Sequence, residues 1–167
     1  MPKLLRLEEQ RPHEWAFNRP EEWDFLDRRL EKAEEAERRG AVEQAKHICT
    51  EIIASCPEYL PAINNLALLL RTEGELDHAL ELFEGAVGLG VSCLPKEFVP
   101  GTDRLPWYWE DNRAFIIACE QLGVTHLMKG LEAFEYLLDV RCGYAGIEEL
   151  AIGVRHICGI EDSSDEK

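Results

Sequence analysis

Leu60 to Cys93 reads LPAINNLALLLRTEGELDHALELFEGAVGLGVSC, and this stretch decides the fold. Ile63, Leu66, Ala67 and Leu70 return at steps of three and four residues, which places them on one face of a helix. Leu76, Ala79, Leu80, Phe83 and Ala86 do the same further on. Gly74 stands between the two runs, where a helix that must reverse needs a residue free to adopt a left-handed turn. The pattern predicts a pair of antiparallel helices.

Working outward, the small residues of this pair have counterparts 34 positions earlier: Ala33 for Ala67, Gly40 for Gly74 and Ala45 for Ala79. A fixed period of small residues is the mark of a repeated helical hairpin, because alanine lets two helix backbones approach closely. Leu26, Leu30 and Ala33 form the first stripe of the earlier unit. Val42, Ala45, Cys49, Ile52 and Ile53 form the second, and Pro57 falls where that helix should stop.

On these residues the chain resembles the tetratricopeptide-repeat (TPR) family. Residues 60–93 carry the family's Leu66–Ala67 pair, the turn Gly74, and Ala79, Phe83 and Ala86 in the second helix, with Val91 in place of the usual terminal proline. Residues 26–59 match through Ala33, Gly40, Ala45 and Pro57. A third unit over 116–149 follows from Gly123 and Gly130, which repeat the seven-residue separation of Ala67 and Gly74 after a register slip of 22 residues. A Pro-rich insertion at 88–107 absorbs that slip.

The expected architecture is all-α: about three TPR-like hairpins stacked as a short right-handed superhelix (α-solenoid), closed by a capping helix. One domain spans 19–158, with an N-terminal extension at 1–18 and an acidic tail at 159–167. Helices are predicted near 19–39, 41–55, 60–72, 76–88, 108–128, 131–140 and 145–158. The first is expected to start at Arg19, with Asn18 as cap and Pro20 in the first turn. The last is drawn from Ile147, Leu150, Ala151, Val154 and Ile157.

The resemblance implies that the first helix of each unit lines a concave groove. Asn64, Asn65, Leu68 and Arg71 are then the exposed positions of the second unit, and Asn65 stands where family members that grip extended peptides use an asparagine on the peptide backbone. Glu31 and Glu34 precede Asn65 and Leu68 by 34 residues, so they face them across the groove. The family clamp for acidic chaperone tails wants Lys and Asn where this chain has Leu30 and Glu34, while Asp27, Glu31, Glu34 and Glu37 form an acidic strip. A basic or mixed-charge protein segment is the expected partner. Trp107 and Trp109, in Leu105-Pro106-Trp107-Tyr108-Trp109, are expected either to anchor the insertion or to flank the groove.

Composition sets the limits on other functions. Of 167 residues 46% are apolar and 31% charged, with a formal net charge of -15. Residues 1–40 hold nine basic against eleven acidic side chains and the rest nine against twenty-two, a body that repels phosphate backbones. Nucleic acid is therefore not an expected ligand. No apolar run approaches the roughly 20 residues of a membrane span. Met1–Gln10 does not read as a secretory leader, so a cytoplasmic chain with reduced thiols is expected.

Cys49, Cys56, Cys93, Cys119, Cys142 and Cys158 form no metal-ligand spacing, and Cys142, His156 and Cys158 fall short of a four-ligand zinc set. His13, His47, His78 and His126 are scattered. No nucleophile, base and orienter can be assembled, and no glycine loop for phosphate. The expectation is a non-catalytic adaptor without cofactor or metal. The alternatives are an escort for client proteins and a homo-oligomerising scaffold.

Overall fold

The structure, a computed structural model, describes residues 5–139 together with Ile152 and Arg155; for residues 132–139 it describes the backbone alone. The chain divides into two compact units, residues 1–120 and 121–167.

Four helices of the first unit form the two expected hairpins. They are α1 (Asp24–Arg38) with α2 (Val42–Ser55), and α3 (Leu60–Thr72) with α4 (Leu76–Ser92). Both turns are built alike. Gly40 and Gly74 adopt φ of 76° and 86°, a region that disfavours residues with a Cβ. Each glycine N–H donates three residues back, to Glu37 O at 2.8 Å and Arg71 O at 3.0 Å. The next N–H donates five back, Ala41 to Ala36 O at 2.8 Å and Glu75 to Leu70 O at 3.0 Å. This pairing satisfies the carbonyls that a helix end leaves open.

The repeated alanines sit where helices touch. Ala33, Ala45, Ala67 and Ala79 are all fully buried, and α2 packs on both α1 and α3, which brings the hairpins side by side. Pro61 lies in the first turn of α3, where its missing N–H leaves nothing unsatisfied.

The N-terminus departs from the expectation. Within the N-terminal extension, residues 6–18 form a β-hairpin that was not expected, β1 (Arg6–Arg11) antiparallel to β2 (Glu14–Asn18), with Leu7 opposite Phe17 and a turn through His13 at φ 63°. The chain is thus mostly helical, consistent with an all-α class, and carries in addition a small two-stranded sheet. Nor does a helix begin at Arg19. Asn18 ends β2, its amide donating to Glu8 at 3.1 Å, and a 3₁₀ turn at Glu21–Trp23 leads into α1 at Asp24.

β2 is held by the far end of the Pro-rich loop and by the next helix, α5 (Glu110–Asp139). Asn112 is fully buried and clasps the strand: its Oδ1 accepts from Phe17 N at 2.9 Å, and its Nδ2 donates to Trp15 O at 2.9 Å and Pro106 O at 3.1 Å. Trp15 N donates to Arg104 O at 3.0 Å, so the outer edge of β2 is occupied as in a sheet. Phe17 lies against Phe115 and Trp15 against Phe98, at centroid distances of 5.4 and 5.8 Å.

The remaining helices also correct the prediction. α4 runs four residues past 88, to Ser92, and at Gly90 a Cβ would stand 2.2 Å from the Phe115 ring, so the glycine admits α5 against α4. α5 then continues unbroken through Gly123 and Gly130. The turn expected at Gly130 does not form, and residues 140–149 of the expected third unit lie outside the described residues. In the second unit the described part is this helix from Gln121 onward, where the Thr125 hydroxyl donates to Gln121 O at 2.7 Å. The helix expected at 145–158 and the tail at 159–167 lie outside the described residues but for Ile152 and Arg155.

Candidate functional site

Steps of four, three and three residues put Asp27, Glu31, Glu34 and Glu37 along one face of α1. This face, α3 and the first turns of α5 bound a groove with two adjoining cavities. The smaller, about 240 Å³, is lined by Arg19, Asp27, Glu31, Glu58, Tyr59 and Asp111 among others. The wider, about 480 Å³, is lined by Glu37, Asn64, Asn65, Leu68, Arg113 and Ile117 among others. Leu30, Glu34, Pro61, Glu110 and Ala114 belong to both, so the cavities share a wall.

The smaller cavity holds an internal ion cluster. Arg19 meets both Asp27 oxygens at 2.7 and 2.8 Å, Asp111 at 3.1 Å and Asp24 at 3.6 Å. Burial works against its charge, but the bond to Asp27 and the fields of Asp27 and Asp111 outweigh it, and its pKa is raised. The Tyr59 hydroxyl donates to Asp27, and burial followed by that bond pushes its pKa up. Burial also raises the pKa of Asp111, in spite of Arg19.

Among the described residues no basic side chain pairs with Glu31, Glu34, Glu37 or Glu110. Arg113 lines the wider cavity but is engaged elsewhere: its guanidinium lies over the Trp107 ring at 5.9 Å and its Nε donates to Trp107 O at 3.2 Å. On α3, Asn64 donates through Nδ2 to Ala114 O at 2.7 Å. Because a carbonyl only accepts, that bond fixes which end of the amide is which. Asn64 Oδ1 is left buried without a donor.

The structure brings together Glu34, Asn65 and Leu68 on the wider cavity and places Glu31 on the smaller one. Asn64, expected to be exposed, is only 5% exposed, because its amide ties α3 to α5. Arg71 lines neither cavity. Trp107 is exposed and reaches the groove only through Arg113, while Trp109 is half-buried with a buried, unpartnered Nε1. Sequence reasoning missed Arg19, Glu110, Asp111 and Arg113. Arg19 was read as a helix start and the other three only as part of the helix near 108–128; the seating of α5 beside α3 brings those three to the groove.

No set of three His, Cys, Asp or Glu side chains among the described residues could hold a metal ion, and Cys142, His156 and Cys158 lie outside them. No described helix is long and apolar enough to cross a membrane. No family model, no curated protein and no solved structure matches the chain.

Proposed function

We propose that the chain is a non-catalytic, TPR-like interaction module that holds a segment of a partner protein in the groove bounded by α1, α3 and the start of α5. The observation that carries this reading is the groove itself: two adjoining cavities lined by the apolar Leu30, Pro61 and Leu68, by the amide of Asn65, and by carboxylates that have no basic partner among the described residues. Apolar floor with a few convergent polar groups is what peptide recognition needs. The 34-residue register and its two identical glycine turns support the family resemblance.

Affinity purification with the full chain, followed by mass spectrometry, tests it. A partner recovered by the wild type should bind Asn65→Ala more weakly by about 1–3 kcal/mol, with an unchanged melting temperature. The double variant Glu31→Lys, Glu34→Lys should weaken it further. A partner held equally by all three proteins removes the groove from consideration.

A further inference from the structure

We infer that the groove selects its segment by one basic side chain, arginine or lysine, seated between Glu34 of α1 and Glu110 of α5 where the two cavities meet. The inference rests on the groove reading and names the chemistry of the occupant.

The chain carries its own precedent in Arg19, a guanidinium that bridges α1 to α5 through Asp27 and Asp111. Along α1 the same arrangement recurs within two turns: Glu31 and Glu34 continue the face begun by Asp27, and Glu110 adjoins Asp111. Arg19 is already committed, and Arg113 is stacked on Trp107. Glu31, Glu34 and Glu110 are exposed carboxylates around one opening, and their combined charge favours a cation there over an anion, above the apolar floor of Leu30, Pro61 and Ala114. That floor also suits the methylene stem of a long basic side chain.

Asn64 adds an independent demand. It lines the wider cavity, is 5% exposed, has its Nδ2 committed to Ala114 O, and leaves Oδ1 without a donor. A buried acceptor calls for an N–H; Oδ1 is closed to solvent, so a segment's backbone would reach it only once the amide turns toward the cavity. Any segment brings such an N–H, whereas the carboxylates repel an acidic one, so they and not Asn64 select the basic side chain.

The test is a titration of the full ¹⁵N-labelled chain with acetyl-Gly-Leu-Arg-Leu-Gly-amide and with the same peptide carrying Lys, Ala or Glu at the centre. The Arg and Lys peptides should shift the amides around Glu34, Asn64 and Glu110, and bind about tenfold more tightly than the Ala peptide. The variant Glu34→Gln, Glu110→Gln should erase that tenfold difference, whereas Glu81→Gln, Glu97→Gln, an equal loss of charge on exposed sites, should keep it. If the Ala or Glu peptide binds the groove as well as the Arg peptide, the cation seat is overturned while the groove stands. If both double variants weaken the Arg peptide equally, its attraction is general and the seat is again overturned. If no peptide shifts a groove amide, the groove reading falls with it.

Discussion

The two helical hairpins share one backbone and fill it differently. Positions 33 and 67, 40 and 74, and 45 and 79 are occupied by the same residues in the same roles. Deeper in, the fully buried Cys49 and Ile52 of α2 correspond to the fully buried Phe83 and Ala86 of α4, a small–large pair against a large–small pair. At the groove, Leu30 of α1 corresponds to Asn64 of α3. The frame therefore depends on alanine and glycine, whereas volume can shift along a helix as long as the sum fills the space. The exchange of Leu30 for Asn64 serves a neighbour that only the second hairpin has: α5, reached through Ala114 O.

The largest test of this contrast is truncation at the exchanged pair. Phe83→Ala should lower the unfolding free energy by about 3–5 kcal/mol in a denaturant titration, because a large buried ring leaves a cavity. Cys49→Ala should cost about 1 kcal/mol. Equal losses would mean that the two interiors are not complementary fillings of one frame.

Gly40→Ala and Gly74→Ala should each cost about 1–2 kcal/mol, and by the same amount, since both have positive φ and open space where the methyl would go. A difference above about 1 kcal/mol in thermal melts would show that the turns differ in more than sequence position.

The smallest effect is expected from Asn64→Leu, which makes the second hairpin resemble the first. It removes the bond to Ala114 O but also the buried, unpartnered Oδ1, so the net change should stay within about 1 kcal/mol. A loss of 3 kcal/mol or more would make Asn64 the main fastener of α5 rather than one contact among several.

The hairpins were legible because their signals are local. Gly40 and Gly74 are each preceded by an amphipathic run and followed by another, and both ends of the turn close on nearby carbonyls. Gly130 lacked that surrounding, and a lone glycine costs a helix only about 1 kcal/mol, so α5 passes through it. The β-hairpin was not legible. β1 reads RLEEQR with one buried residue, and β2 reads EWAFN with three buried in succession, so neither alternates. β2 is covered on its faces and along its edge by residues about ninety positions away, such as Arg104 and Asn112. Of the groove, Glu31, Glu34, Asn65 and Leu68 were found from the period of 34. The wall from α5 was missed because the register past the Pro-rich loop was drawn from Gly123 and Gly130 rather than from Glu110.

The Asn112 clasp also sets a timetable for synthesis. Phe17 and its partner are 95 residues apart in the chain. At about 5–20 residues per second, the strand waits roughly 5–20 s after it is made before its clasp exists. During that interval Trp15 and Phe17, both buried in the finished fold, have no α5 to cover them, while α1 to α4 can already pair locally. The order of assembly is therefore inverted relative to the order of the chain: the β-hairpin precedes α1 to α4 in sequence and is secured after they can pair.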